Sequence, residues 1–203
     1  MKKYAVLHEP GDIVTLAGTR FVVLDVERRG SLPDSLFLLA LESVGASEFG
    51  SSNNYAESDL KKAVDKWLED MGKRGLDNAK LIPREIDLTT LDGSGCYGKL
   101  SVKAAPLTLD EAREYADIIP NAERWCWLAT GWSGPSKSDG DLALYVASYG
   151  DWGGGGCSAS SGIRPALKVP SILFEDSEAG LDLSKIPTDD LLQEIHRRLA
   201  EKA

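Results

Sequence analysis

The stretch that decides the fold runs from Ala122 to Val169: AERWCWLATGWSGPS (122–136), DLALYVASYGDWGGGGCSASS (141–161) and GIRPALKV (162–169). Four of the chain's five tryptophans (Trp125, Trp127, Trp132, Trp152) fall in it, beside Tyr145, Tyr149, a glycine run and a series of serines. Strands are expected near Trp125–Ala129, Leu142–Ser148 and Ile163–Val169. Large rigid aromatics among small, adaptable residues give contact area at low entropic cost, which suits a recognition surface. A small β-rich core with tight turns has the same composition, so each ring needs its own argument.

Upstream, Gly11 to Glu27 (GDIVTLAGTRFVVLDVE) reads as two strands about a turn at Ala17-Gly18-Thr19, because short β-branched runs flank a glycine. Leu36 to Leu41 (LFLLAL) is an apolar run of strand length, expected to be buried on both faces. Gly45 to Tyr55 reads as loop. Ser58 is a good cap for a helix over Asp59–Met71, with Leu60, Ala63, Val64, Trp67, Leu68 and Met71 at helical spacing and Gly72 just past the end. Gly75 to Leu100 reads mostly as loop. Thr108 and Glu111 form a capping box for a second helix that ends before Pro120, its apolar stripe being Leu109, Ala112, Tyr115, Ala116 and Ile119.

Downstream, residues 175–187 are acidic and linker-like, which bounds a main domain over residues 1–174. Pro187 and Thr188 announce an amphipathic helix over residues 188–203 with a stripe of Leu191, Leu192, Ile195 and Leu199. That helix either packs on its own domain or pairs with another chain, in an oligomer or with a partner.

The 203 residues are enough for one domain with a substantial core, and 42% hydrophobic with 27% charged residues is ordinary for a globular protein. A net charge of −9 opposes nucleic acid, which demands a positive footprint. No run approaches the ~20 apolar residues of a membrane span, so no membrane insertion is expected. The N-terminus MKKYAVLHEPGDIV lacks the apolar run of a signal peptide. Three cysteines without paired spacing are not a disulfide framework. The expected location is therefore cytoplasmic, or on a phage particle if the resemblance below holds.

Taken together, the motifs resemble a widespread uncharacterised domain family of bacteria and their phages. Its members open with a GD…V…G..F.VLDV hairpin and a strand like FLLAL. An S-D-L-x-x-W-L helix follows, matched by SDLKKAVDKWLEDM with one extra turn between Leu60 and Trp67. A T..EA..Y helix comes next, here Thr108 to Tyr115. A WWL-S-P motif is matched by Trp125-Cys126-Trp127-Leu128-Ala129, and G-V-R-P-A-L by Gly162 to Leu167. The match spans roughly residues 11 to 170. Cys126 stands where the family has its second tryptophan, and Asp151-Trp152 with the glycine run replaces a more polar segment.

That family looks like a branch of the C-type-lectin-like fold, in the version shared by formylglycine-generating enzymes and the variable proteins of diversity-generating retroelements. The resemblance implies an α+β chain: two helices on twisted, mainly antiparallel sheets, long ligand-presenting loops and here an extra C-terminal helix. In the variable proteins the diversified positions lie between the tryptophan motif and the terminal strand, which corresponds to Gly131–Ser161. The related enzymes rely on a cysteine pair. Here Cys157 is single, its nearest neighbour in sequence being Cys126, so neither a catalytic residue nor a cofactor is expected.

Each constellation has a plainer alternative. Trp125 and Trp127 share a strand face at period two and are expected in the core. Trp132, Tyr149 and Trp152 sit at turn positions, and Tyr145 points away from the face made by Leu142, Leu144 and Val146. The glycines at 153–156 lack the Lys and the helix of a phosphate loop, so a turned loop between strands is expected. Asp139 and Asp141 supply part of a calcium site but neither calcium signature of sugar-binding lectins, so a β-turn is the plainer reading. Arg164 is expected to brace the fold through carbonyls.

These readings nominate Trp132, Tyr145, Tyr149, Asp151, Trp152, Ser158, Ser160 and Ser161 as a surface for a protein or glycan ligand, without a metal. The alternatives are an assembly module acting through the C-terminal helix, and an enzyme of the formylglycine-generating type.

Overall fold

The hairpin expected near the N-terminus forms between β1 (Ile13–Leu16) and β2 (Thr19–Arg29), about Ala17 (φ 47) and Gly18 (φ 75). Two consecutive positive φ angles match the twist of the flanking strands, and only the second falls on a residue that accepts such a backbone without strain. The computed structural model describes residues 8–30 and 32–174, with Thr188, Asp189, Leu192 and Arg197 beyond them.

After β2 come β3 (Leu32–Ala40), β4 (Ala46–Glu48), a 3-10 turn at Tyr55–Glu57 and the helix α1 (Asp59–Lys73). The Ser58 side chain accepts from the Lys61 N–H, as its sequence position suggests. The helix outruns its expected end and takes in Gly72; the chain leaves it at Gly75 (φ 103), where Leu76 N–H bonds back to the Met71 carbonyl at 3.1 Å. A left-handed glycine, not the first glycine met, stops the helix.

The segment read as loop after it contains a hairpin, β5 (Arg84–Asp87) with β6 (Lys99–Val102). In β5 Ile86 alone is a buried apolar residue among charges, and β6 has only Leu100 and Val102 turned inward, so the period-two signal is too short to read. Then follow β7 (Ala104–Ala105) and α2 (Leu109–Glu114), whose capping box is complete: Thr108 Oγ1 accepts from Glu111 N–H, and the Glu111 carboxylate from Thr108 N–H. Thr108→Ala should cost about 1 kcal/mol of global stability, read as a lowered urea midpoint with unchanged slope.

The remaining strands are β8 (Cys126–Gly131), β9 (Leu142–Val146), β10 (Trp152–Gly156), β11 (Ser160–Gly162) and β12 (Ala166–Pro170). The chain is thus α+β, mostly open antiparallel sheet. One five-stranded sheet has the order β1-β2-β3-β12-β7 and the other β10-β9-β8-β11-β4, with a single parallel pairing, β11 on β8. The strand expected over Ile163–Val169 is split at Ile163-Arg164-Pro165, where the chain passes from the second sheet to the first. Pro165 has no N–H to give a ladder, and its carbonyl takes the Ala40 N–H instead.

Each sheet is apolar on both faces. Phe21, Val23, Leu36, Leu38, Leu167, Trp127 and Ala143 enter one core with Leu60, Val64 and Met71 of α1. Val22, Leu24, Leu39, Leu128 and Leu144 alternate with them into a second core under α2. The apolar run at 36–41 is two-sided for this reason. Arg164 bridges the layers, donating from Nε to the Ala40 carbonyl at 2.7 Å and from Nη1 to that of Pro120 at 2.9 Å. Burial pushes its pKa down. Among the described residues no helix is long and apolar enough to cross a membrane. The acidic linker and, apart from Leu192, the C-terminal stripe (Leu191, Ile195, Leu199) lie outside the described residues.

Candidate functional site

The glycine run is a strand, not a loop. Residues 152–156 pair with 146–142 in unbroken antiparallel register. Glycine is a poor strand former, so something must select it here. A Cβ on Gly153 would stand 2.7 Å from Tyr145 Oη, one on Gly154 2.4 Å from Trp132 Cε3, and one on Gly155 3.3 Å from Trp127. The rings lie directly against the strand backbone, Tyr145 and Trp127 on one face of the sheet and Trp132 on the other.

Trp132, just past the end of β8, is half-buried against the second core; its N–H is bonded to the Leu142 carbonyl and its carbonyl to Asp92 N–H. The reading of Trp125 is overturned. Trp125, expected in the core with Trp127, is 48% exposed, whereas Trp127 is 2% exposed. Strand β8 starts one residue after Trp125, at the rim of the sheet, so period two puts Trp125 on the right face but beyond the core. Its ring lies flat on Tyr145, with centroids 4.6 Å apart and planes at 12°. Its carbonyl accepts from both Gly162 N–H and Ser161 Oγ at 2.7 Å.

An aromatic chain thus runs inward from solvent: Trp125 on Tyr145, Tyr145 against the edge of Trp127, Trp127 against Phe49, and Phe49 against Tyr55. The Trp127 indole N–H donates to the Ser47 carbonyl at 3.0 Å. The inner members are buried and fix the outer ones. The loop leading from Gly131 to Leu142 is held by the fully buried Asn53, which donates to the carbonyls of Ser133 and Leu142 and accepts from Tyr97 Oη.

The other nominated residues separate. Tyr149 (64% exposed), Asp151 and Trp152 (39% exposed) gather at the β9–β10 turn, next to Trp125 in register. Trp152 lies on the opposite sheet face from Trp125, beneath the Arg113 guanidinium at 5.7 Å. Ser161 is beside Trp125. Ser158 stands at the far end of β10, and Ser160 on β11 faces β4. The aromatic members therefore bracket one end of one sheet, and Ser158 and Ser160 do not join them.

The two buried thiols are poor nucleophiles. Burial, with the Asp141 carboxylate adding to it, pushes Cys157 up to about 12, and burial raises Cys126 despite Arg164 beside it. Among the described residues no three His, Cys, Asp or Glu side chains converge on a possible metal position. A cleft of about 200 Å³ beside α2 is lined by Asp25, Glu27, Arg84, Glu114, Tyr115 and Lys168. Its cations are taken up by internal pairs, Arg84 of β5 with Glu111 of α2, and Lys168 with Glu27 within the first sheet. Compared with protein-family models, curated proteins and solved structures, the chain matches none.

Proposed function

We propose that the chain is a non-enzymatic ligand-binding protein whose recognition surface is the aromatic end of the second sheet, formed by Trp125, Tyr145, Tyr149 and Trp152. The scaffold is proposed to be of the C-type-lectin-like kind, in line with the resemblance to the variable proteins and their phage association. The observation that carries this reading is Trp125. Half its surface is open to water, yet its ring is stacked and its carbonyl is bonded twice. An exposed ring already fixed in place loses little entropy when a ligand covers it. Affinity then comes from burying rings and from backbone and serine hydrogen bonds, with no metal or cofactor. The ligand is a protein or a glycan.

The test is a screen of the whole chain on peptide and glycan arrays, followed by the double variant Trp125→Ala/Tyr149→Ala. Binding to the hits should fall at least about tenfold, the usual effect of losing an aromatic hot spot. The melting temperature should move little, because both rings are substantially solvated. Unchanged affinity removes the surface. Leu192, helical and 47% exposed, favours a second reading in which the C-terminal helix engages a partner. Binding that vanishes on removing residues 186–203 but survives the double variant would support that reading instead.

A further inference from the structure

We propose that the outer edge of β10 takes up an extended segment of a partner polypeptide as an added strand. This rests on the ligand-binding reading above and gives it a partner class.

Strand β10 is the last of its sheet, and among the described residues nothing pairs with its other side. Ala147 N–H bonds to the Asp151 carbonyl at 2.7 Å, and Cys157 N–H to that of Asp141 at 2.8 Å. In an antiparallel ladder hydrogen-bonded pairs alternate with unbonded ones. Residues 151, 153, 155 and 157 therefore bond to β9, and Trp152, Gly154 and Gly156 turn their N–H and C=O groups outward. Among the described residues only the Gly156 carbonyl of these is engaged, by Ala159 N–H at 2.8 Å. The edge keeps three donors and two acceptors at the spacing an added strand requires.

Natural edges are usually blunted by charge, proline or a bulge. Trp-Gly-Gly-Gly-Gly has none of these, and its register is unbroken. The opposite edge of the same sheet, β4, is three residues long and ends on Glu48. Side chains of a docked strand would alternate between the two sheet faces. On one they would meet Tyr145, with Trp125 stacked on it; on the other, Trp132 and Trp152. Because β10 has no side chains after Trp152, those rings reach the edge itself. This also explains why the exposed aromatics lie on both faces of one sheet end rather than in one flat patch.

Charge selects among occupants. Asp141 and Asp151 are exposed at the two ends of the hairpin, and the chain carries −9. A segment bearing Lys or Arg is favoured, and a second copy of this chain is opposed by like charge.

The test pans a displayed library of linear peptides against the full chain and resynthesises a binder with single N-methyl amides along its length. Sensitivity should recur at every second residue, each sensitive amide losing about fivefold in affinity. In the protein, amide exchange at Trp152, Gly154 and Gly156 should be fast when free and slow when bound, with Gly153 and Gly155 slow in both states. A binder that needs Trp125 and Tyr149 but shows neither the alternation nor the new protection overturns strand addition and leaves the aromatic surface standing. Hits on glycans alone do the same. Protection of those amides by self-association, seen as a concentration-dependent dimer, overturns the partner assignment. Absence of any hit overturns both readings.

Discussion

Gly154→Val should lower stability by about 3 kcal/mol or more, while Gly156→Ala, two residues along the same glycine run, should leave it unchanged or raise it by about 0.5 kcal/mol. A Cβ at 154 would sit 2.4 Å from Trp132 Cε3 and 2.6 Å from Cζ3. The indole cannot retreat, because its backbone is tied to Leu142 and Asp92 and its ring packs into the second core. At 156 nothing lies within 4 Å of the added atom, and the backbone has no positive φ there. Alanine then mainly narrows the unfolded ensemble. Urea unfolding of the two variants beside the parent decides the matter. Similar effects at both positions would mean that the rings do not select the glycines, and the explanation of the strand would fail.

Trp127→Ala should cost about 3–5 kcal/mol, a fall in melting temperature of roughly 10–15 °C for a chain of this size. Trp127 is 2% exposed, meets Phe49 edge-on at 5.6 Å, touches Tyr145 and covers Gly155. Its loss opens a cavity at the centre of the aromatic chain and leaves the Ser47 carbonyl without its indole donor. Trp127→Phe should recover most of the packing but not that bond, for a cost of about 1–2 kcal/mol. Because Tyr145 rests on Trp127 and Trp125 on Tyr145, emission from Trp125 should shift in the alanine variant even at temperatures where it remains folded. A loss below about 1 kcal/mol would show that the ring is not the keystone described here.

The helix starts were legible at Ser58 and Thr108 because a cap is a local event: one side-chain oxygen meets an N–H three residues on. The first hairpin was legible for the same reason, and the two-sided strand at 36–41 because a continuous apolar run needs cover on both faces. The hairpin at 84–102 was not legible. Its strands are short and charged, and they pair across a loop that only the rest of the fold closes. Of the residues nominated from the sequence, Tyr149, Asp151 and Trp152 stand close together at the β9–β10 turn. Trp132 packs half-buried against the second core, and Trp125, assigned to the core by its spacing from Trp127, came out. Period two reports which face a residue takes but not where the covering layer ends.

From the residues alone came most of the strands and both helix starts, the caps and turns, the acidic balance, and a crowd of aromatics and glycines between Ala122 and Val169. These depend on neighbours in sequence or on totals. Which ring is entombed and which stands in water, and that four glycines form a strand with one edge open, were decided by packing. A glycine declares only that a side chain is missing. What occupies the vacated space, here three rings brought in from β8 and β9 and the turn after β8, exists only once the sheet is assembled.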